Sequence, residues 1–131
     1  MKVAVAIITD DKQHVLVTQR PLHVPHGGCW EFPGGKVESN ESPEMALIRE
    51  IKEEVNLDVQ QFQYLGDVVH QYKDKKVELI VFHVSQFAGV PSCKEEQLSM
   101  KWIKLDDLNP DDFPEANKAI ISLIQAPEFI S

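Results

Sequence analysis

The chain has 131 residues and a formal net charge of −8 at pH 7. This length suits one domain, residues 1–131, that buries about two-thirds of the surface of its unfolded chain. The acidic balance argues against a nucleic acid polymer as partner, because such binding needs a basic footprint. The N-terminal apolar run is too short for a membrane span. Cys29 and Cys93 build no disulfide framework, so we expect a reducing, cytoplasmic setting. We also expect a monomer.

The first segments of the chain predict two strands and a loop. Residues 2–9 form an almost continuous apolar run, which is typical of a strand buried on both faces. After a short turn, His14–Gln19 predicts a second strand that pairs back on the first. The proline- and glycine-rich residues 21–29 predict a loop. Its two histidines, His23 and His26, are interpreted as surface residues, since imidazole suits zinc better than Mg²⁺.

Residues 34–57 combine a glycine pair with an acidic helix. Ser42 followed by Pro43 predicts the helix start, with serine as the N-cap and proline in the first helical position. The helix is expected to continue to Val55. Its apolar residues fall on one arc and are expected to face a core: Leu47, Ile48, Ile51 and Val55.

Three glutamates stand together on that helix. Glu50, Glu53 and Glu54 are spaced i, i+3 and i+4, so they share one face and repel one another. One interpretation is a solvated acidic face, but it does not account for the preceding Gly34 and Gly35, which permit a backbone turn that brings a carbonyl close to a ligand. Hard cations such as Mg²⁺ take oxygen ligands from a few carboxylates and from substrate phosphates. The second interpretation is therefore a metal site.

The rest of the chain predicts a hairpin, a short strand and a final helix. Residues 59–72 and 76–86 are rich in β-branched and aromatic residues and predict two paired strands, with His83 packed inside the second. A short strand is expected around residues 100–104 and a helix over residues 115–125. We expect an α/β fold, an α/β/α sandwich around a central mixed β-sheet.

The stretch from the glycine pair onward resembles the Nudix box: a glycine, five residues, a glutamate, seven residues, then Arg-Glu-apolar-x-Glu-Glu-x-Gly-apolar. The matching positions are Gly35, Glu41, Arg49, Glu50, Ile51, Glu53, Glu54 and Leu57. Asn56 replaces the last glycine, and asparagine is the next best residue for a left-handed backbone. Residues 30–36 and 112–117 are similar to the bacterial MutT branch of the family, so the resemblance covers nearly the whole chain.

The resemblance implies the Nudix fold and a pyrophosphohydrolase. Such enzymes cleave a nucleoside triphosphate to a monophosphate and pyrophosphate with Mg²⁺, for which Mn²⁺ can substitute; the ions shield the phosphate charge and activate water. Glu50 and Glu53 would be catalytic, with Glu50 a candidate base. Glu41 and Arg49 would form a structural ion pair, and Gly35 would be a further structural residue of the motif. The implied metal ligands are the Gly34 carbonyl, Glu50, Glu53, Glu54 and a later carboxylate, either Glu95, from its Glu-x-Gln pattern, or Glu96, counting back from Trp102.

The resemblance also implies a substrate. Asn117 corresponds to the asparagine that reads the purine, and its carboxamide offers one donor and one acceptor. It can pair bidentately with O6 and N7–H of oxidised guanine but not with the two acceptors of normal guanine. Phe32 would line the base pocket, and Arg20 and Lys75 would bind the nucleotide. We therefore expect 8-oxo-dGTP hydrolysis in nucleotide-pool sanitisation. Hydrolysis of CTP, dCTP or another pyrimidine nucleotide stays open, as does a non-catalytic nucleotide-binding module, although such modules tend to lose the carboxylates.

Overall fold

The structure, a computed structural model, describes residues 1–126 and residue 129; residues 127, 128, 130 and 131 of the expected domain lie outside the described part. The described chain contains seven strands, two α-helices and two 3₁₀ turns. The strands are β1 Lys2–Ile8, β2 His14–Gln19, β3 Trp30–Glu31, β4 Gly34–Lys36, β5 Asp58–Gln71, β6 Lys76–Ala88 and β7 Ser99–Lys104. The helices are α1 Pro43–Val55 and α2 Glu115–Ile124, and the 3₁₀ turns are Leu105–Asp107 and Pro110–Asp112.

The strands form two sheets. The larger sheet is mixed, with the order β4-β1-β6-β5, in which β1 is parallel to β6 and the other pairs are antiparallel. The smaller sheet is antiparallel, with the order β3-β2-β7. The predicted hairpin is confirmed as β5 and β6, which pair along nearly their whole length. Neither helix between residues 1 and 126 is long and apolar enough to cross a bilayer.

Two apolar clusters lie on opposite sides of the strands. In β1, Val5 and Ile7 belong to the cluster under α2, whereas Ala4, Ala6 and Ile8 belong to the cluster under α1. This division confirms the strand buried on both faces. The helices contribute Ala46, Leu47, Ile51 and Val55 on one side and Ala116, Ile120, Ile121 and Ile124 on the other. The α/β/α arrangement is therefore confirmed, with strands as the middle layer.

Three sequence expectations are corrected. β2 does not pair back on β1 as predicted. The two segments share a single bridge between Thr9 and Val15, and β2 pairs with β3 and β7 instead. The glycine pair lies in β4, paired antiparallel with β1, and not in a turn. Ile48 is 43% exposed rather than buried, because α1 turns Ala46 toward the sheet in its place.

Candidate metal and nucleotide site

Local capping residues place both ends of α1. The Ser42 hydroxyl accepts a hydrogen bond from the Met45 amide at 3.1 Å, and Pro43 follows it as the first helical residue. At the other end, Asn56 adopts the left-handed conformation with φ 62° and its N–H donates to the Lys52 carbonyl. The two caps fix where α1 begins and ends, and so they determine which helix turn carries the glutamates.

Close approach explains the two glycines of β4. A Cβ atom at Gly34 would overlap the Ala4 carbonyl of the neighbouring strand, and a Cβ atom at Gly35 would overlap the Glu50 carboxylate. Glycine is therefore required at Gly34 for β4 to lie against β1, whereas a side chain at Gly35 would displace the Glu50 side chain from its place. The Gly34 N–H donates to Glu54 Oε2 at 2.8 Å.

Arg49 is the centre of an ion-pair network beside the glutamates. It pairs bidentately with Glu41, at 2.6 Å from Nη2 and 2.9 Å from Nε, and Nη2 also donates to the Lys36 carbonyl at 3.1 Å. Its other nitrogen, Nη1, contacts Glu50 at 2.7 Å and Glu53 at 3.2 Å. The ion pair expected between Glu41 and Arg49 is thus present. It ties the loop before α1 to the helix and to the end of β4.

The pKa values of this network follow from its contacts. The hydrogen bonds from Arg49, followed by the Glu38 N–H, lower the pKa of Glu41 to about 2. Burial raises the pKa of Glu50, and the negative charges of Glu53 and Glu95 raise it further against the opposing effect of Arg49. The network therefore contains one strongly acidic carboxyl and one that resists ionisation.

Glu54 is the most perturbed carboxyl of the site. Burial raises its pKa to about 8; the Gly34 N–H opposes this, and the charges of Glu31, Glu50 and Glu95 add to it. Glu54 lines an acidic cavity of about 290 Å³. The other lining residues are Pro21, Glu31, Glu95, Glu96 and Gln97. We call this space the acidic cavity.

The loop before β7 brings both later glutamates to the acidic cavity. Glu95 acts electrostatically on Glu50 and Glu54 and raises the pKa of each. Glu96 instead pairs with His23 at 3.1 Å, and its side chain is 75% exposed. His23 therefore lies in a surface loop, as the sequence predicts, and Glu95 is the later carboxylate whose charge acts on Glu50 and Glu54.

A second cavity, of about 440 Å³, adjoins the acidic one. Its walls bring together Arg20 from the end of β2, Lys75 from the β5–β6 turn and Asn117 from the first turn of α2. These three were selected from the sequence, although they lie far apart along the chain. The cavity is also lined by Met1, Pro25, His26, Glu31, Tyr72, Val77, Leu79, Pro114 and Ala116. We call this space the nucleotide cleft.

Two of the predicted nucleotide residues have other contacts. Phe32 is 4% exposed and stacks on Phe113 at 5.2 Å between ring centroids, so it lies behind the cleft wall rather than in it. Arg20 donates from Nη1 to Glu31 at 2.8 Å and from Nε to the Pro25 carbonyl at 2.9 Å. Arg20 therefore holds the loop after β2 as well as facing the cleft.

Sequence reasoning missed two residues of the site. Glu31 lines both cavities and so stands at their common wall. Its place immediately before Phe32, on a two-residue strand leading to the glycine pair, is the signal that could have identified it. Gln97 lines the acidic cavity and contacts α1. The Glu-x-Gln pattern that selects Glu95 contains Gln97, but it does not indicate the partner of Gln97, because Glu54 is 43 residues away.

The donors around the acidic cavity suit a hard divalent cation. Four carboxylates, Glu31, Glu50, Glu54 and Glu95, lie close enough for their charges to be coupled, and a cation would offset that repulsion. Among residues 1–126 and residue 129, no three carboxylate, imidazole or thiol groups already stand in a ligand arrangement. Glu50 and Glu53 are held by Arg49, and Glu54 by Gly34. The metal role of these residues stays a prediction.

Comparison with known proteins adds three findings. Residues 1–124 match the NUDIX domain family. An 8-oxo-dGTP diphosphatase of Escherichia coli (strain K12) is 34% identical over 125 residues, covering 95% of this chain and 96% of its own; a CTP pyrophosphohydrolase of the same organism is 33% identical over 119 residues, covering 87% of each chain. The crystal structure of a MutT NUDIX hydrolase from Burkholderia pseudomallei superposes with a TM-score of 0.85 at 28% identity, covering 94% of this chain and 96% of the other.

Proposed function

The chain belongs to the NUDIX domain family, and we propose that it hydrolyses 8-oxo-dGTP to 8-oxo-dGMP and pyrophosphate. The family and its relatives identify the chain as a nucleoside triphosphate pyrophosphohydrolase. The observation that carries the substrate proposal is the junction of two cavities at Glu31. One cavity is acidic and suits a metal-bound triphosphate, and the other contains the carboxamide of Asn117.

The acidic cavity performs the hydrolysis in this proposal. NUDIX hydrolases in general depend on divalent metal ions, and here we propose Mg²⁺, with Mn²⁺ as a substitute. The ions would shield the triphosphate and promote attack by water. The Gly34 carbonyl, Glu50, Glu53, Glu54 and Glu95 would hold them. The hydrogen bond from the Gly34 N–H to the Glu54 carboxylate supports this set of ligands, because it holds the Gly34 backbone of β4 close to Glu54 of α1.

Glu50 and Glu53 are the proposed catalytic carboxylates. Both contact Nη1 of Arg49, which orients them on the same side of α1. The raised pKa of Glu50 supports its role as the base, since a base with a pKa nearer neutrality transfers protons more efficiently. The Glu41–Arg49 pair, with Gly35 beneath Glu50, would hold these carboxylates in position.

The nucleotide cleft selects the base in this proposal. Asn117 would pair with O6 and N7–H of the oxidised guanine, and Lys75 and Arg20 would bind the nucleotide. Phe32, which stacks behind the wall, would support the pocket. We further propose that residues 1–131 are one domain acting as a cytoplasmic monomer; the two free cysteines, Cys29 and Cys93, suit a reducing compartment.

A second candidate is hydrolysis of CTP or dCTP. The relative named CTP pyrophosphohydrolase favours it, because its identity to this chain, 33%, is almost that of the 8-oxo-dGTP diphosphatase at 34%. Pyrimidines lack the N7 edge that Asn117 would read in oxidised guanine. The two candidates therefore differ in what Asn117 does and not in the chemistry at the acidic cavity.

The deciding experiment compares nucleotides on the purified chain with Mg²⁺. We expect pyrophosphate release with kcat/KM highest for 8-oxo-dGTP and lower for dGTP, CTP and dCTP. Higher kcat/KM for CTP than for 8-oxo-dGTP would replace the first candidate with the second. Release of no pyrophosphate from any of the four would refute both. The same panel with Glu54→Gln controls for contaminating hydrolases.

A further inference from the structure

The loop that carries Glu95 is attached to the end of α1. The Lys94 N–H donates to the Glu54 carbonyl at 2.9 Å, and the Ser92 N–H donates to the Val55 carbonyl at 3.0 Å. The last carbonyls of a helix have no partner within the helix, so these contacts satisfy groups that would otherwise need water. They also tie the loop to the helix turn that carries Glu54.

The Gln97 carboxamide makes a second connection between the same two segments. Its Nε2 donates to the Glu54 carbonyl at 3.0 Å, and its Oε1 accepts from the Glu95 N–H at 2.9 Å. A carbonyl can only accept and an N–H can only donate, so the two partners determine the orientation of the amide. One side chain thus bridges the backbones of the residues whose carboxylates line the acidic cavity.

We propose that Gln97 is a positioning residue of the metal site, which holds the Glu95 carboxylate at a set distance from that of Glu54. The inference rests on the proposed function, because it takes Glu95 as a metal ligand. Glu95 lies on an exposed loop, and the bridge adds to the Lys94 contact in limiting the positions that its backbone can sample. Holding it in place beforehand lowers the entropy lost when a cation binds.

Few side chains could replace Gln97 in this bridge. Glutamate keeps the acceptor for the Glu95 N–H but presents an oxygen to the Glu54 carbonyl. Methionine has a similar length and neither hydrogen-bonding group, and asparagine is shorter by one methylene. Partners that orient metal ligands from behind affect metal affinity by about 10- to 100-fold when they are removed.

Mn²⁺ binding to the nucleotide-free protein tests the proposal without turnover. The free ion is measured by electron paramagnetic resonance in the parent, Gln97→Met and Gln97→Glu. We expect both variants to weaken binding by about tenfold or more. Gln97→Glu is the sharper variant, since its added negative charge alone would tighten binding. Unchanged or tighter binding by Gln97→Glu would overturn the proposal. Gln60→Glu is the matched control, because Gln60 is exposed on β5 and lines neither cavity of the site.

A double-mutant cycle with Glu95→Gln separates positioning from other effects. If Gln97 acts through Glu95, Gln97→Met should cost little Mn²⁺ affinity once Glu95 is already Gln. A full loss in both backgrounds would mean that Gln97 acts on the ion by a route other than Glu95, and the proposal would fall. An unchanged Kd for Glu95→Gln alone would instead refute Glu95 as a ligand in the proposed function. A normal loss for Glu95→Gln with none for Gln97→Met would overturn only the present inference.

Thermal unfolding without metal distinguishes positioning from helix capping. A capping role alone would lower the Tm of Gln97→Met and leave the Mn²⁺ Kd of the folded protein unchanged, which would contradict the proposal. We expect a weakened Kd together with a Tm increase on adding saturating Mn²⁺ that is smaller in the variant than in the parent at the same Mn²⁺ concentration.

Discussion

The acidic cavity and the nucleotide cleft share Glu31 in their walls but are assembled differently. Four of the five proposed metal ligands, Gly34, Glu50, Glu53 and Glu54, come from one contiguous stretch, although of these four only Glu54 lines the acidic cavity itself. The cleft draws Arg20, Lys75 and Asn117 from three distant segments. Local sequence therefore supplies most of the proposed metal ligands, and tertiary packing brings together the proposed nucleotide-binding residues. Changes in the first region should slow every nucleotide, whereas changes in the second should alter the ratio between nucleotides.

Glu54→Gln should have the largest effect. It removes a charged oxygen from the acidic cavity and can keep the hydrogen bond from the Gly34 N–H. We expect kcat/KM to fall by about 100-fold or more, and to a similar extent for 8-oxo-dGTP, dGTP and CTP. A loss of kcat/KM confined to one nucleotide would contradict the separation of roles between the acidic cavity and the nucleotide cleft.

The same substitution should stabilise the metal-free protein. The pKa of Glu54 is raised from 4.5 to about 8, so the unfolded state releases its proton first and stability is lost as the pH rises from about 4.5 toward 8. Gln does not titrate. Urea unfolding with EDTA should therefore show a stability gain for Glu54→Gln that is larger at pH 8 than at pH 5.

Asn117 variants should change selectivity by a smaller amount. Asn117→Ala removes two proposed hydrogen bonds of roughly 0.5–1.5 kcal/mol each, so the preference for 8-oxo-dGTP over dGTP should shrink by about tenfold or more. Asn117→Asp should weaken it further, since an ionised carboxylate only accepts hydrogen bonds and would repel O6.

The measurement for Asn117 is kcat/KM on 8-oxo-dGTP, dGTP and CTP in the parent and both variants. Hydrolysis of the poorly recognised dGTP should change little, because the acidic cavity is untouched. A fixed ratio of oxidised to normal guanine in both variants would remove Asn117 from base recognition, and the assignment of the acidic cavity would survive that result.

Glu41→Gln should change the acid sensitivity of the fold. The pKa of Glu41 is lowered from 4.5 to about 2 by Arg49, so its ion pair contributes stability above pH 4.5 that is lost as the pH falls toward 2. The parent should therefore exceed Glu41→Gln in stability at pH 7, and the gap should close in acid. Chemical unfolding at several pH values measures it, and a gap independent of pH would contradict the charge-based explanation.

His83 lies outside both regions and should give the smallest effect. Its ring hydrogen-bonds to the Thr9 hydroxyl at 2.8 Å and lies against Phe129, and burial lowers its pKa from 6.5. Protonation therefore favours the unfolded state, so the stability contributed by neutral His83 is lost as the pH falls below 6.5 toward its lowered pKa. His83→Gln should remove that pH dependence of stability and leave kcat/KM unchanged for every nucleotide. A changed kcat/KM ratio between nucleotides would show that residues outside the walls of the acidic cavity and the nucleotide cleft also affect selectivity.

Much of the acidic site could be predicted from sequence because its determinants are local. Ser42, Pro43 and Asn56 set the ends of α1 through contacts within four residues, and the spacing of the glutamates then places them on one face. The left-handed Asn56 and the Glu41–Arg49 pair follow from positions in a short motif. Sequence alone thus determined the helix, its acidic face and the family.

Tertiary structure decided which surfaces meet. Ile48 is as apolar as Leu47, but the sheet covers only one arc of α1, and Ala46 occupies that arc instead. The partners of β2 depend on strands that arrive later in the chain. The bridge from Gln97 to Glu54 and the place of Glu31 between two cavities join residues with no shared local pattern. Such contacts arise from long-range packing, for which the spacing of residues along the chain carries no signal.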